Sequence, residues 1–115
     1  MEGNASTREE TPIQKFRLQS GTLTVNTNLY PYLLREFEAL CQRLLRFPNS
    51  TLYVDLTGCA FISTVFLAPL IKTHLEAQRQ GRRLILAINR ELEQFFLFAS
   101  LDKTFNLEVR DNGGD

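Results

Sequence analysis

The chain is expected to fold as a single α/β domain, with a mixed, mostly parallel central sheet of about five strands and amphipathic helices packed on it. Two observations predict this class. Short β-rich apolar runs at residues 52–56, 84–88 and 105–109 alternate with longer stretches whose apolar residues recur at helical spacing. The strands are therefore joined through helices, as parallel neighbours must be. A length of 115 residues suits one such domain and can bury a core without disulfides or metals.

Residues 1–11 are small, polar or charged and are expected to form a flexible tail; the domain is placed at 12–110 and a short second tail at 111–115. Ile13, Phe16 and Leu18 alternate with Lys15, Arg17 and Gln19, Ser20-Gly21 signals a turn, and Leu23 and Val25 alternate with threonines. This predicts a hairpin at one edge of the sheet. Pro31 suits a first helical position, and Leu33, Leu34, Phe37, Leu40, Cys41, Leu44 and Leu45 follow on one face before Phe47-Pro48 ends the helix. Residues 52–56 are predicted as a central strand covered on both faces. A second helix is expected from about Ser63 to Gln80, with Gly81 as its terminator and Arg79 near its negative end. Pro69 leaves two openings for that helix: either the axis bends there, or the helix proper begins later, near Phe66. Strand 84–88, a Phe-rich third helix over 91–101 and a last strand over 105–109 complete the order.

Composition excludes several classes of function. Lys plus Arg and Asp plus Glu number 13 each, so nothing supports a general attraction to nucleic acid or to an anionic membrane. No apolar run approaches the roughly 18 residues of a membrane helix, so no membrane insertion is expected. No secretion signal is apparent, and Cys41 and Cys59 are expected as buried free thiols of a cytoplasmic protein. With only His74 beside them they form no metal site, and no cofactor is implied.

Catalytic patterns are missing as well. The turn after residue 55 offers Thr57-Gly58 and no phosphate-binding glycine loop or nucleophile elbow. Ser63 or Thr64 has no partner base, because His74 lies on the order of 15 Å further along the same predicted helix, where it is expected to be exposed or half-buried. Asp55, at the C-terminal end of a strand, is a lone carboxylate suited to bonding the next turn. The chain is not expected to be an enzyme.

One stretch stands out. Asp55-Leu-Thr-Gly-Cys-Ala-Phe-Ile-Ser-Thr-Val-Phe-Leu-Ala-Pro-Leu70 resembles the signature of STAS domains, the family of bacterial anti-sigma factor antagonists, in which a strand ending Asp-Leu-Ser/Thr-Gly leads into Asp-Ser/Thr-Ser/Ala-Gly-Leu opening a helix. Gln80-Gly-Arg-Arg-Leu-Ile-Leu-Ala-Ile resembles the following strand of that family, and Phe98-Ala-Ser-Leu-Asp-Lys-Thr-Phe its closing segment. The resemblance spans about residues 13 to 109. It implies a small cytoplasmic signal-transduction protein that regulates transcription by binding a serine/threonine kinase-type anti-sigma factor. That kinase phosphorylates the acceptor of the helix-opening motif, and a PP2C-type phosphatase reverses it. By position the acceptor is Thr64, with Ser63 where the family carries Asp and Phe66 where it carries Gly.

Two readings of the motif follow. In the first, Thr64 carries the phosphate and Asp55, Ser63, Val65, Phe66 and Leu67 form the partner-binding surface around it. In the second, Thr64 only caps a helix, and Phe66 and Leu67 belong to the core. The altered motif also fits a constitutive, non-phosphorylated STAS subunit of a signalling or transporter assembly. A third possibility, a small-molecule pocket lined by Phe95, Phe96 and Phe98, rests on fold analogy. A monomer or weak dimer is expected, since the edge of the first hairpin can pair or be covered.

Overall fold

A computed structural model describes residues 14–110; Ile13 and the two expected tails, 1–11 and 111–115, lie outside the described residues. The five strands are β1 (Phe16–Gln19), β2 (Thr22–Val25), β3 (Thr51–Asp55), β4 (Arg83–Ile88) and β5 (Asn106–Val109). They lie side by side in sequence order, β1 antiparallel to β2 and every other neighbour parallel. Between them run α1 (Leu34–Leu44), α2 (Leu67–Arg79) and α3 (Arg90–Phe98). The expected mixed, mostly parallel α/β domain is present.

The hairpin turn is built from Ser20 at φ 52° and Gly21 at φ 81°. Two successive positive φ values match the twist of the strands they join. A side chain at residue 21 would also strike Asn49, whose nearest atom is 2.7 Å from an added Cβ.

Crossovers of the ordinary right hand, all stepping the same way along the sheet, put their helices on one face. Burial agrees with that placement. Leu23, Val54, Leu86 and Leu107 lie in register across four strands and join the same core as Phe37, Leu44, Phe66, Leu70 and Phe96 from the helical side. In β3, Leu52 and Val54 are fully buried while Thr51, Tyr53 and Asp55 are half-buried. The strand therefore packs on one face, not on both as its apolar run suggested. Thr and Tyr are at home in strands and raise local β character on either face, so they conceal a partly open side. On that side Arg110 donates to Glu108 at 2.7 Å and reaches Asp55 at 3.8 Å, in register with fully buried Ala87.

Helix α2 does not start at Ser63. A single 3-10 turn, Thr64–Phe66, precedes it, and the α-helix begins at Leu67. Pro69 thus falls in the first turn, where its missing amide would have had no partner inside the helix. Gly81, at φ 74°, ends α2: its amide donates to the Gln78 carbonyl at 2.9 Å and that of Arg82 to Ala77 at 2.8 Å. The Arg82 guanidinium then clamps the end of α1, donating to the carbonyls of Leu45, Phe47 and Asn49. Both cysteines are free and buried, and burial pushes the Cys41 thiol up to about 12. His74 departs from expectation. It is buried against the edge of Phe105, ring centroids 5.6 Å apart, and its Nδ1 has no hydrogen-bond partner.

Candidate functional site

The loop between β3 and α2 carries the motif and is held from both sides. Asp55 closes its first turn: Oδ1 accepts from the Thr57 amide at 3.0 Å and from the Thr57 hydroxyl at 2.7 Å. Gly58 then passes close to β2, where an added Cβ would sit 3.2 Å from the Val25 carbonyl oxygen. Cys59 is fully buried, its thiol donating to the Phe61 carbonyl at 3.0 Å, and burial raises its pKa above the ordinary thiol value.

Two asparagines outside the motif fasten this loop. Asn28 Oδ1 accepts from the amides of Ala60 and Phe61, at 2.9 and 3.1 Å. Asn89 Nδ2 donates to the carbonyls of Thr57 and Cys59, at 3.1 and 2.9 Å, while its Oδ1 accepts from the Leu92 amide at 2.8 Å and so caps α3. A short parallel bridge adds two bonds, Leu29 N–H to Phe61 O and Ser63 N–H to Leu29 O, both 2.9 Å. The loop backbone is therefore bonded to the β2–α1 connection and to the start of α3 as well as to itself. Such satisfied loop polar groups make a rigid platform. Sequence reasoning overlooked Asn28 and Asn89. The only local signal was an Asn just ahead of a helical run, a cap pattern.

On this platform Ser63 caps the 3-10 turn, its Oγ accepting from the Val65 amide at 3.4 Å. Thr64 is the first residue of the turn and is exposed; among the described residues nothing hydrogen-bonds its hydroxyl. Val65, 42% exposed, stands beside it. Phe66 does not join that surface. Its ring is fully buried, edge-on to Phe37 with centroids 5.3 Å apart. Two places past Thr64 the chain has turned ~200° in an α-turn or ~240° in a 3-10 turn, so in either geometry Phe66 lies away from the exposed Thr64 and faces inward. Leu67 is half-buried against the core, and Asp55 is half-buried with one oxygen committed to Thr57. Of the expected docking set, Ser63, Thr64 and Val65 reach the surface, while Phe66 is core, Leu67 packs against the core and Asp55 holds the first turn of the loop.

An aromatic strip that sequence reasoning did not single out lies alongside. Tyr30, Tyr32 and Phe61 are 43, 72 and 46% exposed. Tyr30 stacks on Tyr32 at 6.3 Å and contacts Phe61 at 5.4 Å between centroids. The Leu29–Ile62 bridge brings Tyr30 and Phe61 together, although 31 positions separate them in the chain. Between the motif and α3 runs a groove of about 360 Å³, bordered by Phe61, Ile62, Ser63, Thr64, Glu91 and Phe95 among others. Of the three phenylalanines once grouped as a pocket lining, Phe96 is core, Phe95 borders this groove and Phe98 is 95% exposed.

Among the described residues no three His, Cys, Asp or Glu side chains come together to hold a metal, and no helix is long and apolar enough to cross a membrane. The site consists of a pinned loop, an exposed hydroxyl at a helix start and flanking apolar surface.

The fold is shared with a protein of known structure. The crystal structure of a candidate anti-sigma factor antagonist from Thermotoga maritima, at 1.59 Å resolution, superposes with a TM-score of 0.67 over 84% of this chain and 86% of that one, at 13% identity. No family model and no curated protein matches the sequence.

Proposed function

We propose that this protein is a non-enzymatic interaction switch of the anti-sigma factor antagonist type. It docks on a serine/threonine kinase-type anti-sigma factor through the surface around Thr64, and reversible phosphorylation of Thr64 governs that docking. One observation carries the reading: on a fold shared with such a candidate antagonist, Thr64 is an exposed hydroxyl at a helix start, on a loop fastened by Asn28 and Asn89. The start of α2 favours added negative charge by ~0.3–1 kcal/mol, so a phosphate there is tolerated by the fold. A PP2C-type phosphatase would restore the unmodified state. Buried free thiols fit a reducing cytoplasm, and the protein would act as a monomer or weak dimer.

The test is direct. Incubation with its kinase and ATP should add one phosphate by intact mass, and Thr64→Ala should abolish the gain. An unmodified protein beside a kinase active on itself or on another substrate would remove the phosphorylation step. A constitutive STAS subunit, without phosphorylation, is the second reading. It is favoured by Ser63 at the position of the family's Asp and by Glu91, a carboxylate bordering the same groove as Thr64. Genes encoding transporter subunits beside this one would support it; a kinase and a PP2C-type phosphatase would support the first.

A further inference from the structure

We propose that the groove and the aromatic strip together form a docking track for an arginine-bearing segment of a partner protein, with an apolar side chain entering the groove and the guanidinium lying between Glu91 and the rings. This rests on the reading of the protein as an interaction module, but not on phosphorylation. Phe61 belongs to both features: it borders the groove and stands 5.4 Å from the Tyr30 ring, so the two surfaces are continuous.

The occupant follows from charge and ring chemistry. Ile62 and Leu92 floor the groove with buried apolar surface, and Phe61 and Phe95 flank it. Glu91 is the one ionisable residue on its border among the described residues. Its carboxylate is exposed, while the next acid along α3, Glu93, lies 3.8 Å from Arg90. A groove that is mostly apolar, edged by two hydroxyls and negative at one point, selects an apolar side chain followed by a cation. The rings narrow the choice further. The Lys15 ammonium already rests over Tyr32, 5.5 Å from the centroid, so this strip accepts a cation on its face. Arginine suits both partners at once, because its planar guanidinium stacks on an aromatic ring while its N–H fork meets a carboxylate. Exposed tyrosine and phenylalanine beside a groove are also the residue types that anchor interfaces.

The test uses the whole protein, labelled with ¹⁵N, and three blocked dipeptide amides: acetyl-Leu-Arg, acetyl-Leu-citrulline and acetyl-Leu-Glu. Acetyl-Leu-Arg should shift the backbone signals of residues 60–65 and 90–95 saturably. The citrulline and glutamate peptides should bind at least threefold more weakly. Glu91→Gln, an exposed change whose unaltered spectrum reports an intact fold, should weaken the arginine peptide at least threefold and flatten its salt dependence. Phe61→Ala should weaken all three peptides. Equal shifts from the arginine and glutamate peptides, shifts scattered over other faces, or an unchanged affinity in Glu91→Gln would overturn the proposal. No kinase takes part, so a failed titration leaves phosphorylation of Thr64 standing, and an unphosphorylated Thr64 leaves the titration standing.

Discussion

Asn89 is the residue whose loss separates the platform from the rest of the fold. Its side chain makes three hydrogen bonds: Oδ1 to the Leu92 amide, and Nδ2 to the carbonyls of Thr57 and Cys59. Asn89→Ala removes a helix cap, typically ~1 kcal/mol, and two further bonds of ~1 kcal/mol each. The expected loss is about 3 kcal/mol, a large share of the roughly 5–15 kcal/mol that holds a domain folded. In urea the midpoint should fall by roughly 1–3 M with little change in slope. Asn89→Asp divides the effect. The carboxylate still accepts from Leu92 and still caps α3, but it cannot donate to the two loop carbonyls. Hydrogen exchange should therefore show Ala60 and Phe61 losing protection in both variants, and Leu92 losing it only in Asn89→Ala. A cost under about 0.5 kcal/mol for Asn89→Ala, or a loop still protected in Asn89→Asp, would refute the view that this side chain fastens the motif.

Other consequences are independent of that one. Phe66→Ala should destabilise by about 3–5 kcal/mol in a denaturant titration, because a fully buried ring leaves a cavity against Phe37; a surface role would cost far less. His74→Phe should leave stability unchanged or raise it by about 1 kcal/mol, since it removes a buried nitrogen without a partner. Gly81→Ala should cost about 1 kcal/mol, for backbone strain alone, whereas Gly21→Ala should cost more because its Cβ also meets Asn49. The Cys41 thiol, raised from 9.0 to about 12 by burial, stays protonated in the folded state while the unfolded chain loses its proton. That contribution to stability is whole below about pH 9 and falls as pH rises towards 12, by up to about 1.4 kcal/mol per unit. Cys41→Ala should flatten this alkaline limb in pH-dependent unfolding.

Element order was legible because apolar period changes cleanly from strand to helix along the chain, and Gly81 and the Ser20-Gly21 turn mark their breaks by requiring positive φ. The single covered face of the sheet was legible too, in the alternation of Thr51, Tyr53 and Asp55 with Leu52 and Val54, but the β-prone Thr51 and Tyr53 masked it. Phe66 was not legible from spacing. Helical spacing puts it away from Thr64, but which of the two faces the core is set by Phe37, a partner from another element. Asn28, Asn89 and the Tyr30–Phe61 contact act across about thirty positions or more, where only the folded sheet makes them neighbours. Thr64 could be singled out in advance because its motif is local; its surroundings could not, because they come from three separate connections.

The central claim is that the charge on Thr64 decides whether a protein partner stays bound. Calorimetric titration of the kinase-type anti-sigma factor with unmodified protein and with protein phosphorylated at Thr64 tests it most directly. Binding by the unmodified form, weakened at least tenfold (about 1.4 kcal/mol) by the phosphate, is the predicted result. Equal affinity of the two forms, with both folded, would contradict it.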